Sequence, residues 1–208
     1  KFLPNSEYVI AHNVPQSIHS IKKDIFTKNN SGIVNISYIG LIRFMEQNKK
    51  IISFFKNDSR FHLNFIGTNA DQLSSYCLEN GVNNVTLIDT FDSKDTIKFF
   101  EETDMIMNLY GNHTPLLDYA LSNKLYYAAI LKKPILVCQD TYMESVSTQY
   151  HFGYVMKLEK DEEKDSLFKF YLNINEDKFV EGCNEYLNKV IDDQKKLYQS
   201  LQRIFLQK

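Results

Sequence analysis

The 208-residue sequence is poor in cysteine and has no long apolar run. Its three cysteines, Cys77, Cys138 and Cys183, include no C-x-x-C pair, which argues against a disulfide framework and against a structural zinc site. No stretch approaches the roughly 18 consecutive apolar residues of a membrane span, and no basic segment followed by an apolar one opens the chain. We therefore expect a cytoplasmic protein of a reducing compartment, without a membrane span or a signal peptide.

The sequence also lacks the common motifs of nucleotide and metal enzymes. It contains neither G-x-x-x-x-G-K-S/T nor G-x-G-x-x-G, which argues against a P-loop nucleoside triphosphatase and a dinucleotide oxidoreductase. It contains no G-x-S-x-G, so an α/β-hydrolase is not expected. The five histidines show no metal-ligand spacing, and metal catalysis is not expected. Only His113 is placed to touch a ligand, and a position in a surface loop is its alternative.

Basic residues do not outnumber acidic ones, and most of them are lysine. Lysine and arginine total 24 against 26 acidic residues, and this balance disfavours binding to the nucleic-acid backbone. Arginine is scarce and occurs only at positions 43, 60 and 203. A lone arginine in a loop is therefore informative, and Arg43 is the residue of interest.

Short apolar segments alternate with helical patterns along the chain. Strands are predicted at 7–11, 33–39, 61–66, 85–88, 105–110, 134–137 and 154–158. Helices are predicted at 44–55, 71–80, 93–103 and 116–131, with a long amphipathic helix or helix pair at 177–206. This rhythm is typical of βαβ crossovers, and it predicts an α/β fold with a doubly wound, Rossmann-like parallel sheet.

Residues that follow the strands are the candidate ligand contacts, because a doubly wound sheet binds ligands beyond the carboxyl ends of its strands. Gly40 ends one strand and Arg43 lies just before a helix, so that backbone N–H groups and a guanidinium group can meet a diphosphate. Gly67 and Thr68 follow the next strand in the same way. The alternatives are a tight turn with a surface arginine, and a helix cap at Thr68.

Lys124 stands in an otherwise apolar helical segment. A buried ammonium group needs a partner or a water-filled cleft to keep its charge, and a phosphate would serve. The segment 110–115 before it is polar and contains Gly111 after another strand, which makes it a third candidate loop.

The order of these segments resembles the C-terminal, donor-binding domain of a GT-B glycosyltransferase, from the large retaining family that builds bacterial polysaccharides. The similarity rests on Tyr38-Ile-Gly40, Phe65-Ile-Gly67 and the segments 84–89, 103–107 and 123–136. Each motif is soft by itself, and it is their order and spacing that carry the resemblance.

The resemblance implies that this chain is one half of a two-domain enzyme. Residues 1–16 would be a hinge segment with the remnant of an N-terminal domain, and residues 17–175 would bind the nucleotide sugar. Residues 176–208 would form C-terminal amphipathic helices that cross back over the domain. The acceptor site and the catalytic residues would belong to the N-terminal domain, so no catalytic residue is assigned in this chain.

The resemblance also implies a set of donor contacts. These are Gly40, Arg43, Gly67, Thr68, Asp89, Thr90, Phe91, Gly111, Asn123, Lys124 and Tyr127. Arg43 and Lys124 would lie at the phosphates, and the loops at Gly67 and at 89–91 would surround the nucleoside. Tyr127 and Tyr119 stand where the family commonly has two glutamates, and the Tyr127 hydroxyl can still hydrogen-bond a ribose.

The implied reaction transfers a sugar from a nucleoside-diphosphate sugar to a glycan or lipid-linked acceptor, with no metal or other cofactor. The acceptor would bind through the N-terminal domain, and the full-length enzyme would associate peripherally with the inner face of the membrane. Nucleic acid is not an expected partner. The alternatives are a sugar-nucleotide epimerase of the same architecture, a flavodoxin-like binding module, and a non-catalytic interaction domain that uses the C-terminal helix.

Overall fold

A computed structural model describes residues 8–15, 26–29 and 31–206. Within these ranges the strands are β1 (Val34–Ile39), β2 (Phe61–Ile66), β3 (Val85–Ile88), β4 (Met105–Asn108), β5 (Ile135–Cys138) and β6 (Gly153–Met156). The α-helices are α1 (Met45–Phe55), α2 (Ser74–Glu79), α3 (Thr96–Glu101), α4 (Pro115–Tyr119), α5 (Asn123–Leu131), α6 (Tyr142–Gln149), α7 (Glu162–Leu172) and α8 (Glu176–Leu206). Short 3₁₀ turns precede α2 and α3.

The six strands form one parallel sheet in the order β3-β2-β1-β4-β5-β6. The chain builds the sheet outwards from β1 to β3 and then returns to build the other half from β4 to β6. The strand order therefore reverses between β1 and β4, where a crevice forms at the carboxyl ends of the strands. The predicted doubly wound, Rossmann-like fold is confirmed.

Apolar helices and strands bury the centre of the sheet. All four residues of β4 and all four of β5 are buried, as expected for central strands of a parallel sheet. The helix α5 is apolar around most of its surface and packs against α8. The predicted C-terminal helix or helix pair is a single helix of 31 residues, which buries Phe179, Cys183, Tyr186 and Val190.

The single helix predicted at 116–131 is wrong, because two helices occupy this segment. Ala120 has φ −73° and ψ 140°, which is an extended conformation that ends α4. The Ser122 hydroxyl accepts a hydrogen bond from the Lys124 backbone N–H at 3.3 Å and so caps α5. The break places the first turn of α5 beside the carboxyl ends of the strands.

The strand predicted at 7–11 is also wrong. Residue 7 lies outside the described residues, and residues 8–11 form no strand. Residues 8–11 are exposed, and it is the next residue that contacts helices: the His12 ring nitrogens lie 3.1 Å from the Tyr126 hydroxyl and 3.3 Å from the Asp193 carboxylate. Side-chain contacts of His12 with α5 and α8 thus hold the chain just beyond the predicted strand. The hinge role of residues 1–16 stays a prediction.

A buried carboxylate joins the amino ends of β1 and β4. Asp104 Oδ2 accepts hydrogen bonds from the Asn35 backbone N–H at 2.8 Å and from the Asn35 and Asn29 amide groups at 3.0 Å. Asp104 Oδ1 accepts from the Tyr171 hydroxyl at 3.2 Å. Both oxygens of this charge are therefore satisfied inside the protein.

Candidate functional site

A cleft of about 370 Å³ opens at the carboxyl ends of β1, β4 and β5, where the strand order reverses. Four of the predicted donor contacts line it, namely Arg43, Gly111, Asn123 and Lys124. They come from three separate loop or helix starts, so the topology of the sheet brings them together. This is the crevice in which doubly wound proteins bind their ligands.

Lys124 forms the positively charged floor of the cleft. It lies in the first turn of α5, and only 7% of its surface is exposed. Its Nζ donates a hydrogen bond to the Tyr110 hydroxyl at 2.5 Å and lies 4.2 Å from the centre of the Tyr38 ring. Burial raises the pKa of Tyr110 far above its ordinary value, so this partner stays neutral.

No carboxylate among the described residues forms an ion pair with Lys124. None of the residues that line the cleft is aspartate or glutamate. Burial, together with the smaller effect of the nearby positive charge of Arg43, lowers the pKa of Lys124 to about 7. An anion in the cleft would reverse both effects, because it would supply the missing opposite charge to both cations.

The backbone of Arg43 is held at both of its hydrogen-bonding groups. Its N–H donates to the Tyr38 hydroxyl at 3.2 Å, and its carbonyl oxygen accepts from the Asn48 amide at 2.6 Å. The side chain is exposed at the mouth of the cleft, and no carboxylate among the described residues forms an ion pair with it. The backbone of Arg43 is thus held in place, and its exposed guanidinium group can bind an anion.

Gly40 and Gly67 allow the loops after β1 and β2 to pack closely against each other. A Cβ atom on Gly67 would lie 2.0 Å from the Gly40 carbonyl oxygen, and Gly67 has φ +133°. The Ile42 N–H continues the pairing by donating to the Thr68 carbonyl oxygen at 2.9 Å. Any other residue at position 67 would push the two loops apart. Gly40, Gly67 and the exposed Thr68 lie outside the lining of the cleft.

The loop after β3 also lies outside this lining. The Asp89 carboxylate accepts a hydrogen bond from the Thr90 hydroxyl at 3.0 Å, which lowers the pKa of Asp89. Phe91 packs edge-on against Phe99 at 5.1 Å between ring centres. Since β3 is the edge strand, two positions from β1, residues 89–91 do not meet the four residues in the cleft. Their contact with a nucleoside stays a prediction.

Tyr127 lies on a different side of α5 from the cleft. Its ring stacks on Phe100 with 4.5 Å between ring centres and an angle of 18°. Its hydroxyl group forms no hydrogen bond with the described residues. Tyr119, the other residue that replaces a family glutamate, is 78% exposed. Binding of a ribose by Tyr127 stays a prediction.

Two of the four predicted contacts that line the cleft form hydrogen bonds within the protein. The Gly111 N–H donates to Cys138 Sγ at 3.3 Å, and the Asn123 side-chain oxygen accepts from the Asn13 amide at 3.1 Å. The second contact places the segment 8–15 at the rim of the cleft. His113 is exposed and does not line the cleft.

The sequence reasoning missed three residues that shape the cleft, Tyr38, Asn108 and Tyr110. Tyr38 and Tyr110 are aromatic residues in or next to apolar strands, so they look like core residues in the sequence. The available signal was their place within two residues of a strand-end glycine. Asn108 carried another signal, because it is a polar residue in an apolar strand; the strand is fully buried, and the Asn108 Oδ1 atom has no hydrogen-bond partner among the described residues.

The described part of the chain holds neither a cluster of metal-binding side chains nor a helix suited to crossing a membrane. No group of three or more histidine, cysteine, aspartate or glutamate side chains in it could hold a metal ion. Likewise, no helix formed by those residues has the length and apolar character needed to cross a membrane. Cys77, Cys138 and Cys183 are all free thiols.

No protein-family model and no curated protein matches the chain. Solved structures do match it. HepE of Anabaena, in a complex with UDP-glucose, has a TM-score of 0.59 and 10% identity over 83% of this chain and 49% of HepE. Sucrose-phosphate synthase of Thermosynechococcus elongatus has a TM-score of 0.62 and 9% identity over 84% of this chain and 46% of the synthase. The chain thus spans about half the length of these two proteins.

A third structure shows which half is similar. The C-terminal domain of a group 1 family glycosyl transferase of Francisella tularensis, LpcC, has a TM-score of 0.50 and 12% identity. The similarity covers 78% of this chain and 92% of that domain. At such low identity the likeness concerns the fold. The chain therefore has the Rossmann-like α/β fold of one half of a GT-B glycosyltransferase.

Proposed function

We propose that the cleft binds the diphosphate group of a nucleoside-diphosphate sugar, and that the chain is the donor-binding half of a glycosyltransferase. The observation that carries the proposal is the state of Lys124, a buried cation with a neutral tyrosine as its partner and no carboxylate in its cleft. Arg43 adds a second cation at the mouth of the same cleft. The similarity to HepE, which was crystallised with UDP-glucose, supports a uridine nucleotide as the first ligand to test.

The two cations would act on the leaving group of the transfer. When the bond between the sugar and the diphosphate breaks, negative charge grows on the diphosphate oxygens. The Lys124 ammonium group lies against the Tyr38 ring and the loop that carries Arg43 is held by the Tyr38 hydroxyl, so both cations can stabilise this charge with little rearrangement of the backbone. The first turn of α5 adds the positive end of its helix dipole. In this proposal protein cations neutralise the leaving group, and no metal or other cofactor takes part.

None of the residues described above is proposed to bind the sugar acceptor. We propose that a glycan or lipid-linked acceptor binds a further domain, that the product is a bacterial polysaccharide, and that the reaction takes place in the cytoplasm at the inner face of the membrane. The similarity to HepE and to the sucrose-phosphate synthase, which are about twice as long as the matched part, supports a further domain.

A ribose contact of Tyr127 is proposed separately from the diphosphate site, because Tyr127 lies on a different side of α5 from the cleft. Its ring is held by Phe100, and its hydroxyl group has no partner among the described residues, so this group is available to a ligand. Since ribose is present in a nucleoside and in its diphosphate, loss of this contact would weaken both ligands equally. Loss of a phosphate contact would weaken the diphosphate alone.

The experiment compares UDP with uridine by titration calorimetry, with GDP, ADP and CMP as tests of base selection. Lys124→Met and Arg43→Ala should each weaken UDP binding at least about tenfold, because each removes a charge-assisted contact, and should leave uridine binding within about twofold. Arg203→Ala, at an exposed position near the end of α8, is the matched control. Equal losses for UDP and uridine, or no binding of any nucleotide to the wild-type chain, would refute the proposal.

A further inference from the structure

We infer that Tyr38 is a positioning residue for both cations of the cleft: its hydroxyl group holds the backbone of the loop that carries Arg43, and its ring lies against the Lys124 ammonium group. The inference rests on the proposed function, and it concerns how the diphosphate site is built. Tyr38 lies near the end of β1, with 2% of its surface exposed, so its place is fixed by the sheet.

The hydroxyl group of Tyr38 closes the loop that carries Arg43. It accepts the Arg43 N–H at 3.2 Å and donates to the Leu41 carbonyl oxygen at 3.0 Å. The next residue, Phe44, has φ 58°, a left-handed conformation that is unfavourable for a residue with a side chain. Such a loop keeps its shape only when surrounding contacts hold it, and Tyr38 is one of those contacts.

The ring of Tyr38 faces Lys124. The Lys124 Nζ lies 4.2 Å from the ring centre, within the distance at which a cation is attracted to an aromatic face. Tyr110 packs against Tyr38 at 5.3 Å between ring centres and accepts the hydrogen bond from Lys124. The ring contact is therefore part of a packed cluster, and it fixes the direction in which the ammonium group points.

One side chain thus orients the Lys124 ammonium group and holds the backbone from which the Arg43 side chain extends. Arg43 and Lys124 carry like charges that repel each other, so nothing in their own interaction keeps them together. A buried tyrosine from the sheet supplies the missing constraint, and an anion would meet one cation in place and the other on a loop of fixed shape. Binding sites gain affinity from this kind of preorganisation because less order remains to be imposed when the ligand arrives.

A double-mutant cycle tests the hydroxyl contact. In the full 208-residue chain, Tyr38→Phe keeps the ring and removes the hydroxyl group. We expect it to weaken UDP binding about threefold to tenfold, which is the effect of one hydrogen bond, with little change for uridine. In an Arg43→Ala background the same change should have almost no effect, because the cation that the hydroxyl group positions is gone. In a Lys124→Met background its effect should persist in full.

A second variant tests the ring. Tyr38→Leu removes the aromatic face, and its additional effect on UDP binding should disappear in the Lys124→Met background. Tyr171→Phe is the matched control, because it removes a buried tyrosine hydroxyl that also accepts a backbone N–H, outside the cleft. If Tyr38→Leu does not fold, as judged by thermal unfolding, Tyr38→Phe still decides the matter.

The possible failures are distinguishable. If Tyr38→Phe weakens UDP binding equally in the wild-type and Arg43→Ala backgrounds, or not at all, the positioning role is refuted while the diphosphate site stands. If Arg43→Ala and Lys124→Met themselves leave UDP binding unchanged, the proposed function is refuted, and the positioning role with it.

Discussion

The two ends of the sheet treat a buried charge in opposite ways. At the amino ends of the strands, Asp104 is 6% exposed, and its two oxygens accept four hydrogen bonds from neighbouring residues. At the carboxyl ends, Lys124 is 7% exposed, and its one side-chain hydrogen bond with the described residues goes to a neutral tyrosine beside an open cleft. The two residues are equally buried, so the difference lies in their partners.

The contrast separates a structural charge from a binding charge. Burial of an ion is costly unless hydrogen bonds or an opposite charge compensate for the loss of water. Asp104 is compensated within the fold, and its network joins β1, β4 and α7. Lys124 is compensated only in part, and the remainder can come from a ligand. Burial of the Lys124 charge thus destabilises the folded chain. An anion that binds in the cleft removes this destabilisation, which favours its binding.

We expect the largest effect on stability at Asp104, whose charge is compensated by hydrogen bonds within the fold. Asp104→Ala leaves the Asn35 backbone N–H and the Tyr171 hydroxyl group without the acceptor that they share, while the Asn29 amide keeps the Ile33 carbonyl oxygen. We expect the free energy of unfolding to fall by about 3 kcal/mol or more, as measured by urea denaturation. Asp192→Ala, at an exposed carboxylate that pairs with Lys195, should change it by less than about 0.5 kcal/mol. A small loss for Asp104→Ala would contradict its structural role.

At Lys124, whose charge is compensated only in part, we expect a smaller effect on stability and of the opposite sign. Lys124→Met keeps the volume of the side chain and removes the buried ammonium group, so we expect the free energy of unfolding to rise by about 2 kcal/mol at pH 6. The exposed Lys98 offers a matched control, Lys98→Met, which should have no such effect. A loss of stability in Lys124→Met at pH 6 would contradict an uncompensated charge.

The pH dependence of that gain follows from the pKa of Lys124, which is about 7 in the folded chain and has an ordinary value of 10.5. Between these values the unfolded chain binds more protons, so wild-type stability increases as pH rises. The destabilising contribution of Lys124 is complete below about pH 7 and disappears towards the ordinary pKa. The advantage of Lys124→Met should therefore shrink between pH 6 and pH 9 in urea denaturation.

The fold could largely be predicted from the sequence. Each strand of the sheet was predicted to within two or three residues, because short apolar segments bounded by glycine or polar turns are a local signal. The errors arose where local and tertiary signals differ. The helix at 116–131 is continuous in its apolar pattern, and only the extended backbone at Ala120 and the Ser122 cap interrupt it. Residues 8–11 have the composition of a strand, but they are exposed and pair with no sheet edge.

The site could be predicted only in part. Arg43 and Lys124 stood out because a scarce arginine and a lysine in an apolar helix are unusual in a sequence. Tyr38 and Tyr110 did not, because an aromatic residue that faces a cation has the same local pattern as one that faces the core. Gly67 was assigned to ligand binding, and its packing against Gly40 depends on the register of β1 and β2, which the sequence does not state.

The most direct test is a titration of Lys124 itself, with carbon-13 at the lysine Cε atoms and NMR detection, in the free chain and with saturating UDP. Lys124→Met assigns the signal. We expect a pKa of about 7 in the free chain and a rise of at least about one pH unit with UDP, because the diphosphate supplies the missing counter-charge. An ordinary lysine pKa in the free chain, or a pKa that UDP does not change, would contradict the assignment of Lys124 as the diphosphate-binding cation.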